Sequence, residues 1–233
     1  MDLNLQMGDV GLMLDLRPQY SISDTLGSST LDESRLKGLL AKHDSGVHLL
    51  SAPEDPVEGE KIHPGLLLEV FSLLKNMYDV VVVDAGHYFD SRVLEVLNLA
   101  DTILVVSVLD VPTVRNVRRS LNLFEQLGYS RDKIRLVVNR QQKKTKVTAE
   151  DLEETAETDV FWQIPNDYSL MSEVRNNGIP LQEHAPKAGL TLAVNGLADA
   201  IIGGVDVQKS GVAHGNSAGI GRLFGFLSKP KSS

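Results

Sequence analysis

The stretch Tyr78-Asp79-Val80-Val81-Val82-Val83-Asp84 constrains this chain more than any other: four consecutive valines lie between two aspartates. β-branched side chains are stiff about χ1 and favour extended backbone. When successive residues are all apolar, both faces of the strand need cover, which is the pattern of a parallel strand between two helical layers. Ile103-Leu104-Val105-Val106 has the same character. Further β-rich runs fall at 47–52, 133–139 and 160–164. Helical spacing predicts helices at 64–77, 91–99, 112–127, 149–155, 168–177 and 190–202. This alternation predicts an α/β fold with a doubly wound, mostly parallel sheet and right-handed crossovers. At 233 residues, 42% of them hydrophobic, the chain is long enough to bury its own core.

Open sheets of this kind hold ligands beyond the carboxyl ends of their strands. The polar, turn-forming residues after each run therefore mark one composite site: Asp84 with Gly86 and His87, Asp110, Asn139 with Arg140, and Pro165 with Asp167. Composition narrows the chemistry. Cysteine is absent, which excludes a disulfide scaffold, a thiolate metal site and a cysteine nucleophile. The formal charge of −8 argues against a duplex-binding surface, and nucleic acid is not the expected partner. No apolar run reaches the roughly 20 residues that span a bilayer, and the amino terminus lacks the features of a signal peptide. A cytoplasmic protein is expected.

Several motifs fail on context. Gly215-Asn216-Ser217-Ala218-Gly219 spells a nucleophile elbow, but no buried strand precedes it and no histidine follows Ser217. The 203–210 stretch is one letter from a phosphate loop, but Gln208 stands where the critical glycine belongs and a helix precedes it. The six histidines form no H-x-x-x-H pair. Beyond 202 the texture changes: 203–218 reads as a flexible linker and 219–233 as a basic amphipathic tail. On a helix Ile220, Leu223, Phe224 and Leu227 would share one face, a pattern suited to peripheral contact with an anionic membrane through 220–231.

An apolar strand ending in a carboxylate is how nucleotide hydrolases place an aspartate beside phosphate-bound Mg²⁺. The segments 2–10, 84–90, 137–140, 161–168 and 178–181 follow one another in a fixed order. Together these motifs resemble the ATPase domain of the CpaE/TadZ family, MinD/ParA-like members of the deviant-Walker P-loop class that act in Flp (tight adherence) pilus assembly and placement. The resemblance covers about 1–202. It implies a P-loop NTPase fold, Mg-ATP as cofactor, ATP sandwiched in a homodimer, and pilus assembly partners at the inner membrane. By the same resemblance Asp2 is a switch I carboxylate near Mg²⁺, and Asp84 is the Walker B aspartate holding Mg²⁺ through water. Gly86 and His87 fall in switch II near the γ-phosphate. Asn139, Arg140, Pro165 and Asp167 fall in the loops around adenine.

Two departures qualify these expectations. The family's phosphate loop, with its two lysines, would lie upstream of Met1 on a strand beside 79–84. A domain truncated at its amino end is therefore expected, with ladder groups left unpaired and hydrolysis by these residues alone impaired. Asn4 stands where the MinD group carries the aspartate that positions the attacking water. An amide there orients water without acting as a base. Two alternative readings are kept: a non-hydrolysing scaffold that positions pilus machinery, and a ParA-like DNA-partitioning protein using Arg115, Arg118, Arg119, Lys143, Lys144 and Lys146.

Overall fold

The computed structural model describes residues 1–27, 30–142 and 144–203. Lys143, the 204–218 linker residues and the 219–233 tail lie outside the described residues. In chain order the helices are α1 Val10–Met13, α2 Glu33–Leu39, α3 Pro56–Glu60, α4 Pro64–Met77, α5 Ser91–Leu99, α6 Val111–Gln126, α7 Ala149–Ala156, α8 Tyr168–Asn177, α9 Leu181–His184 and α10 Gly189–Ile202. The strands are β1 Ala41–Lys42, β2 His48–Leu49, β3 Ile103–Ser107, β4 Ile134–Gln141 and β5 Val160–Pro165.

Helix boundaries follow local chemistry. Pro64 opens α4, and the His63 ring accepts the Leu66 amide hydrogen at 3.2 Å. Asp90 caps α5 by accepting from the Arg92 and Val93 amides, both at 2.9 Å. Asp167 caps α8, which ends at Gly178 in the left-handed region, φ 64°. Such caps satisfy donors that the helix cannot pair itself. The short helices α1, α2, α3 and α9 add to the six expected.

Strands β3, β4 and β5 form a continuous parallel sheet in that order, with Ile103 opposite Ile134 and Ser107 opposite Val138. A second strand group lies on the far side of 79–84. The Asp2 amide donates to the Leu50 carbonyl at 3.0 Å; on the other side Leu3 donates to Asp84 at 2.9 Å and Asp84 to Met1 at 3.0 Å. Residues 1–4 thus run between 48–52 and 82–84, and Asp2 and Asp84 form a parallel bridge.

The 79–84 run corrects the expectation of a strand covered on both faces. Only Asp84 is bridged, although the Met1 amino group also donates to the Val82 carbonyl at 2.7 Å. Val81 and Val83 pack against the main core, whereas Val80 and Val82 are 56% and 75% exposed. Among the described residues, the backbone groups of Val81 and Val83 have no backbone partner. In β3, which pairs only with β4 among the described residues, Leu104 and Val106 are likewise exposed. Both 79–84 and β3 thus carry an uncovered apolar face, and each has an edge without a strand partner among the described residues.

The main core joins Leu3, Ile22, Leu36 and Leu50 to Leu67, Val70 and Phe71 of α4 and to α5, and reaches Ile103 and Ile134. A second cluster packs Val114 and Val117 of α6 and Leu152 of α7 over Leu136 and Val138 of β4. Each fully buried aliphatic side chain contributes about 1.5–3 kcal/mol.

Candidate functional site

The site is built where 1–4 and 82–84 end side by side. Asp2 is 1% exposed, and its carboxylate accepts hydrogens from the Asn4 amide at 3.1 Å and the Val10 amide at 3.2 Å. The loop between them therefore wraps the side chain. Gly8 makes the wrap possible: a Cβ there would lie 2.5 Å from the Ala52 Cβ and 2.6 Å from an Asp2 carboxylate oxygen. Burial raises the Asp2 carboxyl above the ordinary carboxylate range; the two amide hydrogens pull it back, and the Asp84 charge pushes it up again.

Asp84 is exposed. One carboxylate oxygen accepts the Gly86 amide hydrogen at 3.2 Å, and the other has no partner among the described residues. Gly86 adopts φ 66°, the left-handed conformation that a residue with a Cβ rarely takes, so the chain turns at once away from Asp84. The turn and the 1–6 segment enclose a cleft of about 300 Å³ lined by Asn4, Gly86, His87 and Tyr88, with Asp90 and Arg92 at its wall. Asn4, which lines this cleft, donates to the Met7 carbonyl at 2.8 Å, and its side-chain oxygen has no partner among the described residues.

Asp90 and Arg92 were not anticipated as lining residues. Arg92 Nε donates to Asp90 at 2.7 Å, and its Nη1 donates to the Gly59 carbonyl at 3.0 Å. Burial works against the charged form of Asp90, but the Arg92 side chain and the Val93 amide outweigh it and hold the carboxyl below its ordinary range. The sequence signal was the Asp-Ser-Arg opening of α5, which reads as a cap and says nothing of a cleft.

The donor set suits a hard divalent cation of the Mg²⁺ type. Such an ion keeps several waters and takes one or two carboxylates, the rest coming from phosphate. Asp84 offers one exposed carboxylate oxygen, whereas both oxygens of Asp2 already accept amide hydrogens. Asp84 would therefore hold such an ion and Asp2 would fix the loop beside it. Among the described residues no group of three metal-ligating side chains converges, so these residues make no all-protein metal cage.

The proposed adenine loops form a separate pair. Asn139 lies near the end of β4, two residues before Gln141, and its side-chain oxygen accepts the Arg140 amide hydrogen at 2.8 Å while Arg140 adopts φ 53°. That bond commits part of the acceptor capacity, so the amide nitrogen is the freer group for a base edge. Gln141 pairs with Pro165, the Asn166 amide donates to the Gln141 carbonyl at 2.9 Å, and Asp167 caps α8. Asn139, Arg140, Pro165 and Asp167 are thus brought together. They do not line the cleft formed by Asn4 and the Gly86–His87 turn.

Among the described residues no helix is long and apolar enough to cross a membrane. The architecture is the parallel α/β fold of the MinD/ParA-type P-loop NTPases. The chain matches no protein-family model. It is similar to the septum site-determining protein MinD of Thermotoga maritima, 24% identical over 186 residues that cover 77% of this chain and 67% of that protein. A ParA family ATPase from Chlorobium tepidum superposes with a TM-score of 0.79 at 22% identity, covering 84% of this chain and 83% of that one. MinD of Pyrococcus horikoshii, complexed with Mg-ADP, superposes with a TM-score of 0.72 at 19% identity, covering 86% and 81%.

Proposed function

We propose that this chain is a nucleotide-dependent switch of the MinD/ParA type, working in Flp pilus assembly as its CpaE/TadZ-like motifs imply. The supporting observation is the Asp84 carboxylate, free on one oxygen and bonded on the other to the Gly86 amide, at the start of the turn whose Gly86 and His87 line a cleft with Asn4. In this reading Asp84 holds Mg²⁺ through water, Asn4 orients water near the γ-phosphate, and Asn139, Arg140, Pro165 and Asp167 receive the adenine. When bound, the metal would neutralise phosphate charge. The phosphate grip itself would come from a glycine-lysine loop on a strand seated between 79–84 and β3. The unpaired backbone groups of Val81 and Val83 and the unpaired edge of β3 support that placement. ATP would then close a homodimer that positions pilus assembly proteins at the inner membrane, with 220–231 as a peripheral contact. A scaffold that binds without hydrolysing uses the same cleft, and the ParA-like likeness equally supports a DNA-partitioning role.

Isothermal titration with Mg-ATP tests this reading on the present chain and on one extended upstream by a glycine-lysine loop strand. The extended chain is expected to bind with a Mg²⁺ requirement that Asp84→Ala abolishes. A folded extended chain that ignores both nucleotide and metal would overturn the proposal.

A further inference from the structure

A second surface, away from the Asp84 cleft, carries chemistry that the nucleotide reading leaves unused. On α6, Val114, Val117 and Phe124 turn into the core. The adjoining stripe of the same helix presents Val111, Arg115 and Arg119, spaced one turn apart. Between this stripe and α7 runs a groove of about 500 Å³ with Val114 and Val147 in its lining. Val111 stands at its end, 70% exposed, so the apolar lining continues onto open surface.

The charges around this groove differ from one wall to the other. Arg118 is already engaged, donating to the Ala156 carbonyl at 3.3 Å and pairing with Glu157 at 2.8 Å. Arg115 and Arg119 are exposed and, among the described residues, have no carboxylate partner. Two unclaimed guanidinium groups stand out in a chain with 31 acidic and 23 basic residues. The opposite wall is acidic: Asp151 lines the groove, and Glu150 and Glu154 are exposed on the same helix.

We propose that this groove docks an amphipathic helix of a partner protein, with apolar residues over Val111, Val114 and Val147 and carboxylates toward Arg115 and Arg119. Two arginines four residues apart on a helix match two carboxylates one turn apart on the incoming helix, about 6 Å along each axis. Guanidinium forks suit such carboxylates. The divided charge favours a protein helix over nucleic acid: a duplex presents phosphate to both walls, and the α7 carboxylates would repel it. The apolar lining likewise offers a phosphate backbone nothing to bury.

The probe is a fluorescein-labelled synthetic helix of about 18 residues, with leucines at i, i+3, i+4 and i+7 and glutamates along one flank. A control peptide has the same leucines and a lysine flank. Both are titrated with the full chain by fluorescence anisotropy at moderate salt, beside a labelled DNA duplex. The acidic-flank peptide is expected to bind at least about tenfold more tightly than the basic one. Arg115→Glu with Arg119→Glu should reverse that order, and Val111→Asp should weaken both peptides. All three positions are exposed, so circular dichroism and thermal melts of these variants should match the parent chain. Equal binding of both peptides, absence of binding, or affinity unchanged by charge reversal overturns the proposal. Duplex binding that depends on Arg115 and Arg119 would replace it with nucleic-acid recognition. None of these outcomes depends on nucleotide, so failure here is distinct from failure of the ATP titration.

Discussion

The two sides of the sheet are made from similar residues and end in different states. In β4, Leu136, Val137 and Val138 are each fully buried, with β3 and β5 hydrogen-bonded on either side and helices α6 and α7 packed over Leu136 and Val138. In 79–84, an even more apolar run, every second valine faces solvent and the ladder reduces to one bridge and the few bonds around it. Strand formation depends on neighbours as well as residue choice. β-propensity measures fit to a pleated, half-buried surface, and where that surface is missing the preference has nothing to act on.

Substitutions sharpen this contrast most strongly. Leu136→Ala removes a side chain with no exposure and little room for its neighbours to close in, and is expected to cost about 2–5 kcal/mol. Val82→Ala, at 75% exposure, should stay within about 0.5 kcal/mol. Urea denaturation of both variants decides the point. A large loss at Val82 would mean that the open face is covered in solution, and the two sides would then be equivalent.

A smaller effect separates the glycines of the site from those of the scaffold. Gly8→Ala puts a methyl group against Ala52 and the Asp2 carboxylate, and should destabilise the chain by about 1–3 kcal/mol as the loop shifts. Gly38→Ala, inside α2 with nothing near the added Cβ, should stabilise it by up to about 1 kcal/mol. If both changes prove neutral, the loop does not grip Asp2 as closely as the geometry has it.

The parts of this molecule legible in sequence are those fixed by local rules. Helices α4, α5 and α8 begin and end where His63-Pro64, Asp90 and Asp167 place their caps, because capping is decided within a few residues. Helices α2 and α3 carry equally good signals in Asp32 and Asp55-Pro56, yet they are too short to show an apolar period. At the site, sequence order located the Asp84 turn and the paired Asn139 and Pro165 loops. It could not show that Asp2 is turned inward, because the amides holding it belong to a loop whose path Gly8 sets. The cleft wall of Asp90 and Arg92 escaped for a related reason: Arg92 finds its second partner at Gly59, 33 residues away. The open faces of Val80 and Val82 depend on what packs over them, and no local pattern encodes that.

The smallest predicted effect concerns the charge of Asp2. Burial, with Asp84 beside it, raises its folded-state carboxyl above the ordinary range of about 4, despite the amide hydrogens that oppose the shift. In that window the folded chain binds the proton more tightly than the unfolded chain. The stability tied to this group is therefore complete below about pH 4 and is lost as pH rises through the folded value. Asp2→Asn keeps a side-chain oxygen to accept one amide hydrogen and removes the titration. The stability difference between parent and variant should then shift against the parent as pH increases from about 4 toward neutrality, read as urea midpoints along a pH series. Asp90, held low by Arg92, contributes the opposite slope in both proteins and cancels from the difference. Parallel curves would show that Asp2 keeps an ordinary carboxyl. That would mean the two amide hydrogens offset the whole cost of burying Asp2, while its two committed oxygens would still leave Asp84 as the freer ligand.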